Sequence, residues 1–231
     1  MRFAEDAATH PIALARDLQG RGAARLAEQL LAAYALAADD YGVLRKLEAP
    51  ARGEALVIAV GGLVASGKST VAKLASRRLG APRVVADRVR RVLLEEAGDG
   101  PAHELTWEAK FGERVYAGVL ARARDVLASG RSVVLDACFP TEAQRAAVAA
   151  LAVRHGARFV FVHCDAPPED FVARFGLRDV RDGVAPGSWA KLAREVEARW
   201  EPPRPGAHVH LDTSLPRAAW LRTLGLAKER A

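Results

Sequence analysis

Two cysteines stand in the 231-residue chain, Cys138 and Cys164, and no Cys-x-x-Cys occurs. That excludes a disulfide framework and a cysteine zinc site, and leaves two neutral thiols where predicted strands end. No apolar run reaches the length of a membrane span, and the amino terminus carries no signal-peptide core. The expectation is a soluble, cytoplasmic protein. Internal repeats are missing, as is low-complexity sequence beyond a bias toward alanine and arginine. Aromatic residues make up 6 % of the chain, and no aromatic-rich basic groove is evident for stacking single-stranded bases.

What is present suits one α/β domain with some extra chain. Half of the residues are hydrophobic, enough for a full core. Basic residues outnumber acidic ones, 34 to 28, for a formal charge of +6. An anion-binding site and the arginine-rich composition account for much of that excess, so it does not by itself demand a polyanionic partner.

The strongest local signal lies at residues 56–70. Leu56-Val57-Ile58-Ala59-Val60-Gly61 is a short apolar run rich in β-branched residues, the pattern of a buried parallel strand. It feeds into Gly62-Leu63-Val64-Ala65-Ser66-Gly67-Lys68-Ser69-Thr70, which has the G-x-x-x-x-G-K-S form of a phosphate-binding loop. An apolar-periodic helix follows, with Val71, Leu74, Ala75 and Leu79 on one side and Gly80 placed to stop it. Gly62 and Gly67 permit tight backbone angles, so successive N–H groups can face phosphate oxygens, aided by the helix dipole. Lys68 can reach the β- and γ-phosphates, and the Ser69 hydroxyl can ligate Mg²⁺. The loop implies a bound nucleoside triphosphate.

Residues 1–52 read as a helical extension, with an apolar stripe of Leu26, Leu30, Ala33, Tyr34 and Ala37 and a linker at residues 49–53. From residue 53 to 231, strands alternate with helices. Further strands are predicted at residues 83–87, 131–136, 159–164 and 208–212. A long helix is predicted over residues 104–129, burying Trp107, Phe111, Val115, Val119 and Leu120 before Gly130. Thr141-x-x-Gln144 has the form of a capping box, Pro168 suits a first helical turn, and Ser188 can cap a helix ending near Trp200. A final helix is expected near Pro216. The alternation defines an α/β fold: a parallel five-stranded sheet covered on both faces, a three-layer sandwich.

In such sheets ligands bind outside the carboxyl ends of the strands. Asp87 and Asp136 are both predicted at such ends. Asp87 can orient an acceptor hydroxyl and take its proton, with Arg90 one helical turn away as an anion clamp; Asp87 also suits a helix N-cap. Asp136 ends Val133-Val134-Leu135-Asp136, where a carboxylate holds Mg²⁺ directly or through water. Ala137 follows it, which argues against the paired carboxylates of ATPases that activate water. Arg174, Arg178 and Arg181 share one helical face beside the loop of residues 182–187, an arrangement suited to a lid over transferring phosphates. His163 and His210 fall inside predicted strands and read as core or edge residues. Tyr116 and Trp107 read as core more than as pocket, Phe139 as a pocket candidate, and Arg145 sits near the sheet mouth.

With these motifs, residues 55–215 resemble the small-molecule kinases of the phosphate-loop superfamily. The likeness is to the predicted-kinase module grouped with AAA family ATPases, zeta-toxin-like and polynucleotide-kinase-like proteins. It rests on residues 62–70, on Ala86-Asp87-Arg88-Val89-Arg90-Arg91, on residues 130–139 and on Leu211-Asp212-Thr213-Ser214. In that family the module often follows an aminoglycoside-phosphotransferase-like domain. Residues 17–22, 30–34 and 40–41 resemble the tail of one. The resemblance implies an adenylate-kinase-like strand order 2-3-1-4-5, use of ATP and Mg²⁺, Asp87 as base, Arg90 as acceptor contact, and Arg174 and Arg178 as lid arginines. The expected reaction is transfer of a γ-phosphoryl group to a hydroxyl of a small molecule. The alternatives are a polynucleotide 5′-hydroxyl kinase, and a nucleotide-binding switch or ATPase acting on a protein partner.

Overall fold

β-branched runs alternating with amphipathic helices give a five-stranded parallel sheet in the computed structural model, which describes residues 11–49, 53–97 and 109–226. The strands are β1 (Leu56–Gly61), β2 (Arg83–Val85), β3 (Val133–Asp136), β4 (Arg158–Asp165) and β5 (Val209–Asp212), in the order β2-β3-β1-β4-β5. That is the expected order 2-3-1-4-5. Register pairs Val60 with Asp136, Val85 with Asp136, and Gly61 with His163, so the strands at the centre of the sheet end in one row.

Successive side chains of the central strand go to opposite faces. Val57 and Ala59 join a core with α1 (Pro11–Gly20), α2 (Ala24–Ala38), α4 (Ala86–Ala97), α5 (Ala109–Ala128) and α6 (Glu142–Arg154). Ile58 and Val60 join a second core with α3 (Lys68–Leu79) and α9 (Arg217–Thr223). Beyond β4, α7 (Pro168–Asp182) and α8 (Ser188–Glu197) form a hairpin over the carboxyl edge. No helix among the described residues is long and apolar enough to cross a membrane.

Local signals for helix ends hold. Gly80 ends α3 at φ 62°, Gly130 follows α5 at φ 77°, and Thr141 with Gln144 forms a reciprocal capping box on α6. Several expectations shift. In α2 the predicted Leu30 and Tyr34 pack against the core, but the fully buried residues are Ala27, Glu28, Leu31 and Ala35, and Leu26, Ala33 and Ala37 are exposed. On the same buried face Glu28 reaches Arg131: its two oxygens accept from Arg131 Nε at 2.8 Å and Nη2 at 2.9 Å. Arg131 and Ser132, expected in the third strand, precede β3, which begins at Val133. β2 stops at Val85, so Asp87 lies in the first turn of α4 instead of at a strand end. Gly187, at φ 85°, takes the cap position expected of Ser188, and α8 ends at Glu197. Trp107 lies outside the described residues.

Candidate active site at the carboxyl edge

The loop between β1 and α3 needs glycine for a steric reason. Gly62 has φ 139°, and a Cβ there would lie 2.3 Å from the Cys164 carbonyl oxygen; Gly67 has φ 80°, and its Cβ would lie 2.9 Å from Thr213 Cβ. Ala65 is left-handed at φ 65°, a conformation that costs an L-residue about 1–2 kcal/mol. The surrounding contacts must hold it there. Thr213 supplies one: its hydroxyl lies 2.9 Å from the Ser66 carbonyl and 3.0 Å from that of Asp165, and can donate to either. Arg174 supplies another, donating to the Ala65 carbonyl at 3.2 Å, Thr213 Oγ1 at 2.9 Å and Asp170 at 3.0 Å. So Arg174 clasps the phosphate loop to the end of β5, and its guanidinium does not line the cavity described below.

At the start of α3, Lys68 Nζ donates to the Leu63 carbonyl at 3.2 Å. The opening N–H groups of a helix have no intrahelical acceptor, and with the dipole they suit an anion. Ser69 Oγ donates to Asp136 Oδ1 at 3.1 Å, and Arg83 Nη1 donates to Asp136 Oδ2 at 3.2 Å. Asp136 is 3 % exposed. Burial pushes its carboxyl above the ordinary 3.8, against the opposing pull of the Lys68 and Arg83 charges and the Ser69 hydrogen bond. A buried carboxylate beside a serine hydroxyl is a hard-oxygen pair of the kind Mg²⁺ takes, with waters completing its shell. Among the described residues no group of three acidic, histidine or cysteine side chains could hold a metal ion. A site at Ser69 and Asp136 would depend on water and phosphate oxygens for its other ligands.

A cavity of about 370 Å³ opens from this point. Its walls include Lys68 and Asp136 on the phosphate side, Asp87 and Arg90 of α4, Glu113 and Tyr116 of α5, and Arg178 and Trp189 of the α7–α8 hairpin. Asp87 is open to it, with a side chain 66 % exposed, and accepts from the largely buried Arg90 at 2.7 Å. The Arg178 guanidinium lies 4.4 Å from the centroid of the Trp189 ring, a cation–π contact on the cavity wall. Arg181 turns instead to Asp182, at 2.6 Å. Of the predicted residues, Val64, Lys68, Asp87, Arg90, Asp136 and Arg178 therefore share one cavity.

Tyr116, expected in the core, lines the cavity, and Phe139, expected at the pocket, does not. The Tyr116 hydroxyl accepts the Phe139 N–H at 3.0 Å, while burial pushes its phenol upward. Phe139 is 1 % exposed and belongs to the core, and one edge of its ring borders a neighbouring groove. Arg145 is buried, donating to the carbonyls of Phe139 at 2.9 Å and Glu201 at 2.8 Å, so it fastens the loop after β3 to the chain after α8. His163 stacks on Trp200 at 5.0 Å, and burial lowers its pKa to about 4.

Three residues around the site escaped sequence reading. Arg83 and Thr213 act on partners 53 and 147 positions away. Asp179 is buried in α7 and accepts from Gly187 N at 2.7 Å and Trp189 N at 3.0 Å, capping α8 from outside it. An aspartate within an arginine-rich helix gives no hint of that.

A glycine loop joining the central strand to a helix, at the carboxyl edge of a 2-3-1-4-5 sheet, defines a phosphate-loop nucleotide-binding fold of the kinase type. The chain belongs to the AAA domain family AAA_33, whose model matches residues 57–199. Among solved structures it is similar to a candidate kinase from Chloroflexus aurantiacus J-10-fl, at 21 % identity and TM-score 0.57, covering 77 % of this chain and 100 % of that one. The APS kinase CysC of Mycobacterium tuberculosis in complex with AMPPNP and APS gives 24 % identity and TM-score 0.54, covering 76 % and 98 %. Kti12 of Chaetomium thermophilum in complex with ADP-AlF3 gives 17 % and 0.56, covering 74 % and 95 %. At these identities the likeness is one of fold. No curated protein matches the sequence.

Proposed function

We propose that the chain is an ATP-dependent kinase that transfers the γ-phosphoryl group to a hydroxyl of a small-molecule acceptor. The observation that carries this reading is the single cavity onto which both Lys68 and the Asp87–Arg90 pair open. The phosphate loop would hold the triphosphate, with Lys68 countering the charge that develops on the β- and γ-oxygens. Asp87 would accept the acceptor proton as the acceptor oxygen bonds to the γ-phosphorus and the bond from that phosphorus to the β,γ-bridging oxygen breaks, releasing ADP. Arg90 would hold Asp87 in place and face the acceptor, and Arg178 would close over the phosphoryl group from the hairpin. Ser69 and Asp136 are the residues that fit Mg²⁺. The ion, when bound, neutralises phosphate charge.

Two features weigh against the alternatives. Ala137 is 3 % exposed where a water-activating carboxylate would follow Asp136. Arg88 donates to the Ala37 carbonyl and Arg90 to Asp87, so two of the three arginines of the basic run of α4 are drawn into the fold, with Arg91 alone exposed. The test is ADP release over a panel of sugars, aminoglycosides, nucleosides, amino acids and 5′-hydroxyl oligonucleotides. Release dependent on one small-molecule class, and lost in Asp87→Asn with ATP binding intact, supports the reading. Release without any acceptor, or full turnover by Asp87→Asn on that acceptor, overturns it.

A further inference from the structure

Beside Tyr116 the cavity meets a second, smaller groove of about 190 Å³ that is itself open to solvent. Val119 and Leu120 of α5 form one side, Ala147 and Val148 of α6 the other, and Phe139 its floor. Tyr116, Ala143 and Gln144 belong to the walls of both spaces, so the groove continues the cavity away from the phosphate loop. Its two polar wall residues are already turned to backbone. The Tyr116 hydroxyl accepts the Phe139 N–H at 3.0 Å, and Gln144 Oε1 accepts the Thr141 N–H at 3.4 Å. The remaining wall is aliphatic or aromatic carbon. An apolar space of about 150 Å³ is enough to take a benzene ring, and this groove exceeds that size.

We propose that this groove is a subsite for an apolar arm of the acceptor, a single aryl ring. The acceptor is then an amphipathic alcohol, with its hydroxyl at Asp87 and its arm between α5 and α6. From Glu113, beside the reacting end, to Leu120, at the far end of the groove, α5 advances about 10 Å. A linker of a few bonds between hydroxyl and ring spans that distance. The hydroxyl end rests on the kinase reading; the groove itself does not.

The probes are 4-phenylbutan-1-ol and 1,4-butanediol, which share a hydroxyl on a four-carbon chain and carry a phenyl ring or a second hydroxyl at its far end. Binding of each is titrated calorimetrically into wild type, Ala147→Phe and Ala147→Leu with AMPPNP present, and ADP release is measured with ATP. Ala147 lines the groove and not the larger cavity. The expected result is that the aryl alcohol binds wild type at least about tenfold more tightly than the diol, from burial of the ring. Ala147→Phe should remove that preference and Ala147→Leu reduce it, with AMPPNP affinity within twofold of wild type as the check on folding. Equal binding of the two alcohols, or an aryl preference that neither variant changes, overturns the subsite. An Ala147-dependent aryl preference with no ADP release from any acceptor keeps the subsite and overturns the kinase reading. ADP release on a polyol without an aryl preference does the reverse.

Discussion

A buried carboxylate faces an arginine at each end of β3, and the two pairs are built differently. Just before the strand, Glu28 meets Arg131 through two short hydrogen bonds, and Arg131 also donates to the carbonyls of Leu44 at 2.7 Å and Leu47 at 3.2 Å. Both side chains are under 5 % exposed, and the guanidinium is fully engaged in holding the amino-terminal helices to the sheet. At the far end, Asp136 is as buried as Glu28 but receives a single arginine contact at 3.2 Å and one serine hydroxyl. Burial wins there, and its carboxyl is pushed upward. A saturated pair serves as a fastener. A buried carboxylate with spare acceptor capacity, beside a loop built for phosphate, is suited to receive a cation.

The two ends should therefore separate stability from activity. The largest effect belongs to the carboxyl edge. Asp87→Asn should lower turnover by about 10²–10⁴-fold, the usual worth of a positioned acid or base, with ATP affinity unchanged by calorimetry. Next comes the amino-terminal end. Glu28→Ala leaves Arg131 buried and unpaired, which costs about 3–5 kcal/mol. At about 2–4 °C per kcal/mol for a chain of this size, the melting temperature should fall by about 10 °C. The paired change Glu28→Leu with Arg131→Met should recover most of that loss, because it removes both charges together. If Glu28→Ala melts like wild type, the fastener role is wrong.

A pH series sharpens the contrast further. Because the folded state holds the Asp136 carboxyl above 3.8, it binds a proton that the unfolded chain has lost once pH exceeds that value. The contribution of Asp136 to stability is thus greatest below pH 3.8 and falls as pH rises through its raised folded value. Asp136→Asn removes that fall, so denaturant titrations should show the variant gaining on wild type from pH 4 to pH 7. The smallest effect is expected at Arg174. Its loss loosens the clasp on Ala65 and Thr213, so Arg174→Ala should raise KM for ATP about tenfold, in keeping with loss of a charge-assisted hydrogen bond, with little change in kcat.

Legibility in the sequence followed distance along the chain. The phosphate loop, the α6 capping box and the stops at Gly80 and Gly130 are contiguous signals, and each appears where expected. Strand order followed from resemblance, since pairing of β1 with both β3 and β4 leaves no local mark. The residues that tension the site were hidden because their partners are remote. Glu28 sits 103 positions from Arg131, so its burial in α2 beside that partner left no mark in the local stripe. The arginines of α7 looked alike at spacings of four and three, yet only Arg178 reaches the cavity, because Thr213 captures Arg174 and Asp182 captures Arg181.

The contrast between the two pairs is tested most directly by calorimetric titration of ATP, with and without Mg²⁺, into wild type, Asp136→Asn and Glu28→Gln. The structure predicts that Mg²⁺ tightens ATP binding in wild type and in folded Glu28→Gln, and that Asp136→Asn binds ATP with no such gain while melting at or above the wild-type temperature. An equal Mg²⁺ gain in Asp136→Asn would contradict the account.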